Sequence, residues 1–571
     1  MIYCQTNKMC GIWACLGKAL DADTAKALLK QLKGRGPEGA RLAHGDGFQL
    51  GFTRLAINGL NTEGMQPMRY DGRWSWVCNG ELYNWKDLAT RHGIETHSGS
   101  DCEILGPLLS KLGAETDCRT VFQSIDGVFA TIVVDEAAGM AFVGRDPYGV
   151  RPLYLGYVVG EEADYKELGS RRATLFDDQG RPRPVKSIVF ASELKALPLK
   201  DCLRVEAFPP GHYAAYDLKT LTRIGFEPYH TVPVLKHALL SNKLSAEEAL
   251  LHGLESAVHK RMMTERPVAA LLSGGLDSSL IAALVQRELK RKELPSLKTF
   301  SIGFEGSEDL RNARLVADHI GSDHTEIIMT PEEFFAVIPE VIRDIESFDI
   351  TTVRASVGNW LVSREIAKRT ECKVVFNGDG SDEVFGGYKY FYLAPSDEAF
   401  EAETARLLTD IHYFDVLRSD RSISSHGLEA RTPFLDKQFV ACARAIATAL
   451  RRPTTTNMEK TILRSAFAKE GLLPIEVLWR KKEAFSDGVS GKEKSWYEIC
   501  QEKALEIVGE GWQEKAAKYT HLTPKTAEAY YYRRQYEHFY GSVAEMASVP
   551  YHWMPRWSPG ATDPSARTLS V

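Results

Sequence analysis

The segment Ser273–Ser279 reads SGGLDSS and directly follows the apolar run Val268–Leu272. Glycines let a backbone approach an anion closely, and serine hydroxyls with the N–H groups of a helix start can cradle phosphate. The carboxylate of Asp277 stands where a Mg²⁺ ion bridging to phosphate would need an oxygen ligand. The segment therefore predicts a phosphate-binding loop. The alternative is a strand-to-helix turn in which serine and aspartate act as ordinary caps.

A second acidic loop, NGDGSDE at Asn377–Glu383, follows another short apolar run, and a third such run ends near Gly303 with Glu305 close behind. In an open parallel sheet, ligands bind beyond the carboxyl ends of the strands. We therefore expect the three polar segments to lie at one sheet edge, with Asp382 facing Asp277 across a Mg²⁺ site. Taken alone, the second loop is equally well explained as a solvated turn.

The ten cysteines are scattered, without paired metal-ligand spacing or a dense disulfide pattern. This usage fits a reducing cytoplasm. Cys78, Cys102, Cys372 and Cys442 lie in apolar surroundings and are predicted core residues. Cys10 is the exception and is a candidate for chemistry.

The elements that must position these residues change in character along the chain. Roughly the first 215 residues contain short β-rich runs separated by Gly, Asn and Asp, typical of stacked sheets, with a few helices such as Asp21–Leu32. From about Ser245, long helices such as Glu247–Met263 alternate with single buried strands, which favours a parallel α/β sheet. The segment 217–244 is predicted to be a linker.

Composition excludes several classes of function. With 571 residues, 44% of them apolar and 26% charged, the chain is expected to form more than one soluble domain. Its net charge of −6 gives no general electrostatic reason to bind nucleic acid or an acidic membrane surface. No apolar run reaches the roughly 18 residues of a membrane span, and the first residues lack a signal-peptide core. We therefore expect a cytoplasmic protein without a nucleic-acid or membrane partner.

Longer motifs indicate a family. The first half resembles a class II glutamine amidotransferase domain through MCGIWA (9–14), RGPE (35–38), FTRLAI (52–57), NGELYN (79–84), DGVFA (126–130) and GRDPYGVRPLY (144–154). The SGGLDSS segment resembles the pyrophosphate-binding loop of the N-type ATP pyrophosphatases. With TTVRASVG (351–358) and WRKKEAFSDGV (479–489), the chain from Met9 onward resembles the glutamine-hydrolysing asparagine synthetases.

The resemblance implies an α/β protein, α+β overall, in which an N-terminal nucleophile αββα sandwich precedes a parallel-sheet ATP pyrophosphatase domain with extra helices. The implied parts are an N-terminal extension (1–9), a glutaminase domain (10–216), a linker (217–244), a synthetase domain (245–552) and a tail (553–571). The implied activity is that of an ATP-dependent carbon–nitrogen ligase. Its substrates would be glutamine, aspartate and ATP, its cofactor Mg²⁺, and a homodimer would be compatible with the family.

In the glutaminase half, Cys10 matches the family's nucleophile, which would attack the γ-carboxamide of glutamine and form a thioester. Asn79 and the N–H of Gly80 match an oxyanion hole. The residues that match the glutamine-binding site are Arg54, Ile57, Asn58, Asn79, Gly80, Glu81 and Asp101. Arg54 would pair with the α-carboxylate, while Glu81 and Asp101 would receive the α-ammonium. The structural alternatives are a surface salt bridge for Arg54 and an Asn-Gly hairpin turn at Asn79.

In the synthetase half, ATP would adenylylate the aspartate β-carboxylate, and ammonia would reach the β-aspartyl-AMP through an internal tunnel. The residues that match the ATP site are Leu271, Ser273, Gly274, Gly275, Asp277, Ser278, Ile302, Asn377 and Gly378. Asp277 and Asp382 match the metal ligands. Lys460 matches a catalytic lysine that neutralises phosphate charge in the transition state. Asp415 and the catalytic Arg418 match residues of the aspartate or pyrophosphate site.

Three features depart from the family's pattern. Because residues precede Met9, Cys10 has an α-amino group to act as base only if translation starts at Met9 or the extension is removed; otherwise only ammonia would serve as nitrogen donor. The family's SGEGSDE is NGDGSDE here, so Asp379 must perform the catalytic role of a glutamate with one methylene fewer. The charged segment 158–186 is predicted to be a solvated surface insertion, with partner binding as the alternative.

Two rival functions share this architecture. A β-lactam synthetase would lack a working N-terminal cysteine, which MCGIWA and the intact glutamine-site residues argue against. An inactive sensor or assembly subunit would not need Asp277, Asp382 and Lys460 together. We therefore expect an active amidotransferase and ligase.

Overall fold

A computed structural model describes residues 10–113, 118–164, 172–233, 238–482, 489–490, 494–558 and 563–564. The predicted N-terminal extension, 1–9, and part of the predicted insertion, 165–171, lie outside the described residues. The chain forms two compact units. They are Met1–Thr231 with Ser424–Leu428 and Glu537–Pro550, and Val232–Ile423 with Glu429–Tyr536 and Tyr551–Val571.

The first unit contains two antiparallel sheets and, within the described part of residues 10–231, four α-helices. Its strands are β1 (Gly11–Gly17), β2 (Gly39–Gly45), β3 (Phe48–Arg54), β4 (Met68–Tyr70), β5 (Trp74–Leu82), β6 (Gly127–Asp135), β7 (Met140–Arg145), β8 (Tyr154–Val159), β9 (Thr174–Phe176), β10 (Pro182–Ala191), β11 (Cys202–Ala207), β12 (His212–Asp217) and β13 (Arg223–Pro228). Its helices are α1 (Ala22–Gln31), α2 (Trp85–His92), α3 (Leu105–Leu112) and α4 (Cys118–Ser124). One sheet has the order β11-β8-β10-β1-β3-β2 with β9 paired to β10, and the other has the order β13-β12-β7-β6-β5-β4.

The two sheets pack face to face because alternate side chains of each strand are apolar. On β1, Ile12, Ala14 and Leu16 share one core with Val77 of β5 and Ile132 of β6. Helix α1 contacts β2 and β3, while α3 contacts β4 and β5 over a separate core. This arrangement confirms the predicted αββα sandwich.

The second unit is built on a parallel sheet. Its strands are β14 (Val268–Leu271), β15 (Lys298–Gly303), β16 (Asp323–Ile328), β17 (Val374–Phe376) and β18 (Glu429–Arg431). Its helices are α5 (Lys243–Arg261), α6 (Leu276–Arg291), α7 (Glu308–Ile320), α8 (Pro331–Ala336), α9 (Ile338–Ile345), α10 (Ile350–Arg369), α11 (Ser381–Phe385), α12 (Asp397–Asp410), α13 (Asp415–Ser424), α14 (Lys437–Ala445), α15 (Thr448–Arg451), α16 (Thr461–Phe467), α17 (Ile475–Leu478), α18 (Trp496–Val508) and α19 (Trp512–Ala516). Two further helices are α20 (Ala527–Tyr540), which crosses the boundary between the units, and α21 (Glu545–Ser548), which belongs to the first. None of the described helices combines the length and apolar character needed to cross a bilayer.

The sheet of the second unit has the order β16-β15-β14-β17-β18, and each neighbouring pair is parallel. The chain builds the sheet outward from β14 in one direction and then returns to add β17 on the other side. The order therefore reverses between β14 and β17, and ligands of such sheets bind at this switch point, outside the carboxyl ends of the strands. The two predicted loops follow these two strands.

The predicted linker, 217–244, is wrong for its first half. Arg223–Pro228 forms β13, which pairs with β12 at the edge of a sheet in the first unit. Most β13 side chains are exposed, including Ile224 at 61%, so the strand has no buried apolar face that the sequence could have displayed. Helix α5 also begins at Lys243, two residues before the predicted start of the synthetase half.

The predicted tail, 553–571, contributes buried residues to the second unit. Trp553 lies in an aromatic cluster with Tyr388 and is 7% exposed. Arg354 of α10, also buried, donates to Glu528 Oε1 at 2.7 Å and to the two carboxylate oxygens of Asp563 at 2.9 and 2.8 Å. Burial alone would lower the pKa of Arg354, but the two carboxylates outweigh it and hold the guanidinium charged.

Candidate active sites

Cys10 lies immediately before β1 and is half-buried. Its Sγ donates to the carbonyl oxygen of Leu55 at 3.1 Å and accepts from the N–H of Leu55 at 3.3 Å. The Arg35 Nε donates to the Cys10 carbonyl at 2.9 Å, and Arg35 is itself buried in an ion pair with Glu193. The backbone of Cys10 is therefore fixed by a residue to which the sequence assigned no role, although it lies in the RGPE motif.

Asn79 and Gly80 lie within β5, opposite Ala130 and Phe129 of β6, so the hairpin-turn alternative is wrong. Asn79 is 1% exposed, and its Nδ2 has no hydrogen-bond partner among the described residues. Leaving such a donor buried and unpaired costs about 1–3 kcal/mol. Gly80 has a φ of +152°, and a Cβ there would lie 2.0 Å from the carbonyl oxygen of Val128. The strand thus presents an amide donor that fits an oxyanion.

The remaining predicted glutamine-site residues surround the loop after β3. Asn58 donates to Glu81 Oε2 at 2.7 Å, which ties this loop to β5. Arg54 donates to the carbonyl oxygens of Gly59 and Asn61, so its guanidinium orders the same loop. Ile57 is buried in the loop.

Two buried carboxylates complete this group. Asp101 accepts from the Leu82 N–H at 2.6 Å, and both Asp101 and Glu81 are 3% exposed. A buried pair of acids fits a positively charged group such as an α-ammonium.

Several other cysteines are poor candidates for nucleophiles. Burial raises the pKa of the Cys15 thiol to about 11 and that of Cys202 to about 12. The pKa of Cys102 is raised by its hydrogen bond with Cys78 and by burial. Since the thiolate is the reactive form, these thiols are inert near neutral pH.

The phosphate-type loop of the second unit joins β14 to α6. Ser273 and Ser278 place their hydroxyl oxygens 3.0 Å apart, and the Ser273 N–H donates to Ser278 Oγ at 3.2 Å. Gly274 has a φ of +72°, and a Cβ there would lie 2.5 Å from Asn312. The loop therefore needs glycine, and it presents hydroxyls at the N-terminus of a long helix, where anions are favoured.

The two predicted metal ligands share one cation, the Lys460 ammonium group. Lys460 Nζ lies 2.7 Å from Asp277 Oδ2 and 2.5 Å from Asp382 Oδ1, and Lys482 pairs with Asp382 as well. Ser381 Oγ donates to Asp277 Oδ1 at 2.8 Å. Burial alone would raise the pKa of Asp382, but the Lys460 and Lys482 charges outweigh it and hold this pKa well below its usual range.

Two backbone features hold this group together. A Cβ on Gly378 would lie 2.7 Å from the carbonyl carbon of Asp277, so only glycine lets the second loop approach the first this closely. Lys460 is 1% exposed and has a left-handed φ of +57° at the start of α16. Residues outside glycine seldom adopt this conformation, and such strain is concentrated at functional sites. Lys460 is therefore not an exposed helix-surface residue.

A second polar group lies at the same sheet edge. Arg418 donates to Asp379 Oδ1 at 2.9 Å and to Asp415 Oδ1 at 2.7 Å, while Asp379 Oδ2 has no hydrogen-bond partner in the described part of the chain. The Tyr388 hydroxyl oxygen lies 2.9 Å from Asp415 Oδ2 and is also within hydrogen-bond distance of Glu383. Burial raises the pKa of Glu383 well above its usual range, and the charges of Asp415 and Asp382 add to this effect.

The carboxylates of Asp277, Asp379, Asp382, Glu383 and Asp415 line one cavity of about 250 Å³ together with Lys460, Lys482, Arg418 and Tyr388. The predicted residues found in its lining are Leu271, Ser273, Gly275, Asp277, Ser278, Asn377, Gly378, Asp379, Asp382, Asp415, Arg418 and Lys460. Ile302 is buried in β15 and is not among the lining residues, and Gly274 shapes the loop without lining the cavity. Glu305 follows β15 at the same sheet edge, as expected, but its side chain is exposed and it does not line this cavity.

Comparison with known proteins shows the family to which the chain belongs. The family model for the glutamine amidotransferase domain matches residues 9–230, and the model for asparagine synthase matches 249–403 and 394–562. The glutamine-hydrolyzing asparagine synthetases of Homo sapiens and Bos taurus are 41% and 40% identical to this chain, over 98% of it and 99% of theirs. This chain belongs to the glutamine-hydrolysing asparagine synthetase family. Among solved structures, an allosteric regulatory enzyme of purine biosynthesis matches 56% of this chain and 80% of its own, with 15% identity and a TM-score of 0.31.

Some cavity residues of this asparagine synthetase family member were not predicted. Arg480 donates to the Gly274 carbonyl at 3.2 Å and to Asp309 Oδ1 at 3.0 Å, and so holds the phosphate-type loop against α7. Lys482 lies two residues later, in a motif that the sequence had identified without assigning roles. Tyr388 carried no such signal, because an aromatic residue after a helix turn is usually a core residue.

Proposed function

We propose that this protein makes asparagine from aspartate and ATP, with nitrogen released from glutamine. The observation that carries the proposal is the presence, in one chain, of two distinct sets of groups. One unit holds the Cys10 thiol and the Asn79 amide donor, which has no partner in the described part of the chain. The other holds a phosphate-type loop facing Asp277, Asp382 and Lys460. Full-length similarity to glutamine-hydrolysing asparagine synthetases supports both assignments.

In the first unit, the Cys10 thiolate attacks the γ-carboxamide carbon of glutamine, and the C–N bond breaks to release ammonia. Once residues 1–9 are absent, the free α-amino group of Cys10, with an ordinary pKa of about 8, accepts the thiol proton and passes it to the leaving nitrogen. Asn79 and the Gly80 N–H donate to the oxyanion of each tetrahedral intermediate. Water then hydrolyses the thioester to glutamate. Arg54 binds the α-carboxylate of glutamine, and Glu81 with Asp101 binds its α-ammonium.

In the second unit, a β-carboxylate oxygen of aspartate attacks the α-phosphorus of ATP, and pyrophosphate leaves. Lys460 and Arg418 stabilise the charge that develops on the phosphates. Ammonia then attacks the β-acyl carbon, AMP leaves, and a proton passes from the nitrogen to Asp379. The unpartnered Oδ2 of Asp379 supports this role.

Magnesium fits this site. Asp277 and Asp382 already converge on one cation, the Lys460 ammonium, and two carboxylates plus substrate phosphates are the ligands that Mg²⁺ usually takes. When bound, the ion would neutralise the leaving pyrophosphate.

The test compares glutamine with ammonium as nitrogen donor. We expect Cys10→Ala to abolish glutamine-dependent asparagine formation and to leave the ammonia-dependent reaction unchanged. Cys442→Ala removes a thiol of similar exposure from the second unit and should retain both reactions. Equal loss of both reactions in Cys10→Ala would refute the assignment of two sites.

The rival functions are separated by the products. Release of asparagine and pyrophosphate excludes a β-lactam synthetase, which would yield a cyclised product, and an inactive sensor subunit, which would yield neither. We also infer a cytoplasmic protein that binds neither nucleic acid nor membrane. Cell fractionation tests the location, and light scattering of the purified chain tests the homodimer.

A further inference from the structure

Every carboxylate oxygen of the two proposed metal ligands already has a partner. Asp277 accepts from Ser381 at one oxygen and pairs with Lys460 at the other. Asp382 pairs with Lys460 at Oδ1 and with Lys482 at Oδ2. A metal ion that approaches Asp382 therefore competes with an ammonium group at either oxygen, and at Asp277 it competes with the Lys460 ammonium or the Ser381 hydroxyl.

The two lysines differ in how they are held. Lys460 is 1% exposed and fixed at the start of α16, where it bridges both carboxylates. The Lys482 side chain is 19% exposed, pairs within the described part of the chain with Asp382 alone, and lies 5.5 Å from the centre of the Tyr388 ring. Of the two lysines, Lys482 is therefore the one whose ammonium group can leave the carboxylates more easily.

Lys482 is also placed to reach phosphate. It lines the same cavity as the Ser273–Ser278 loop, and Arg480, two residues earlier, donates to the Gly274 carbonyl of that loop. A lysine ammonium is a compact charge on a flexible stem, suited to exchanging one oxygen anion for another. Polyphosphate oxygens bound in the loop would offer it such an exchange.

We propose that Lys482 is a transferable counter-ion. Without nucleotide it neutralises Asp382 and excludes divalent metal; when ATP enters, its ammonium moves to a phosphate oxygen and Asp382 becomes a metal ligand. The inference rests on the proposed function of this site. It makes metal and nucleotide binding cooperative, and thermodynamic linkage requires that each raises the affinity of the other by the same factor.

The test is a titration of the full-length protein with Mn²⁺ in which electron paramagnetic resonance measures the unbound ion. The titration is done with and without ATP, and always without aspartate. For wild type we expect ATP to tighten Mn²⁺ binding at least tenfold beyond the binding of Mn²⁺ to ATP itself. Lys482→Gln should bind Mn²⁺ at least tenfold more tightly than wild type without ATP, and should lose most of the ATP effect. Lys482→Arg keeps the charge and should remain close to wild type.

Lys481→Gln is the matched control, because it removes the same charge from the neighbouring residue of the same cavity. An equal gain in Mn²⁺ affinity in both glutamine variants would show a general charge effect and would overturn the proposal. If ATP tightens Mn²⁺ binding by the wild-type protein less than threefold, the proposal is overturned, and this result does not depend on whether Lys482→Gln folds. Ammonia-dependent asparagine formation by wild type, measured in parallel, shows whether the proposed function stands when the counter-ion model fails.

Discussion

Replacing Asn79 by leucine is expected to lower glutaminase activity and raise stability at the same time. Asn79 is fully enclosed in β5, and its Nδ2 has no hydrogen-bond partner among the described residues. If Asn79 were a satisfied polar residue with a role only in packing, the same replacement would lower stability and leave glutaminase activity unchanged, because losing a satisfied polar group costs stability. Leucine has the same number and branching of side-chain heavy atoms as asparagine and removes this donor.

The magnitudes follow from this geometry. Loss of one oxyanion donor lowers turnover by about 10²–10³-fold, or about 2.7–4 kcal/mol of transition-state stabilisation. Removing a buried donor that lacks an acceptor stabilises the folded state by about 1–3 kcal/mol. For a unit of this size, each kcal/mol corresponds to roughly 2–4 °C in the midpoint of thermal unfolding.

The assay measures glutamate release, ammonia-dependent asparagine formation and the unfolding midpoint of the first unit. Thr131→Val on β6 is the matched control, since the buried Thr131 Oγ1 donates to the Val77 carbonyl at 2.9 Å. That variant should keep its glutaminase activity and lose about 1 kcal/mol of stability. Glutaminase activity of Asn79→Leu within threefold of wild type, or a lower unfolding midpoint, would refute the oxyanion reasoning.

Three more predictions concern the second unit. Asp379→Ala should lower ammonia-dependent synthesis at least 100-fold while glutamate release persists, and unchanged synthesis would exclude Asp379 from the chemistry. Gly378→Ala adds a Cβ that would lie 2.7 Å from the backbone of Asp277. The resulting shift of about 1 Å should lower the rate of ammonia-dependent synthesis about 100-fold. A normal rate would show that the loop has room to move. Burial raises the pKa of Glu383, so its carboxyl group binds a proton more tightly in the folded protein than in the unfolded chain. The contribution of Glu383 to stability therefore falls as the pH rises above its ordinary pKa of 4.5. Glu383→Gln should therefore gain in unfolding free energy over wild type between pH 5 and pH 8, and a difference independent of pH would contradict the shift.

The sequence predicted the synthetase site well because its loops follow parallel strands, whose carboxyl ends share one edge. Asp277 and Asp382 could be paired on that basis alone. Lys482 could not be paired with Asp382, because the two residues are 100 positions apart and no strand fixes the lysine. The edge strand β13 was missed for a related reason: its exposed side chains leave no apolar period, so backbone pairing alone holds it in place.

The pairing of Arg354 with Glu528 and Asp563 has a consequence for how the protein is made. Its partners lie 174 and 209 residues further along the chain. At a synthesis rate of roughly 5–20 residues per second, the arginine waits about 10–40 s for its second carboxylate. During that interval the nascent second unit carries a positive charge that it cannot bury. We expect the newborn chain to engage chaperones over this period, and premature termination before Asp563 to yield a product that cellular proteases remove.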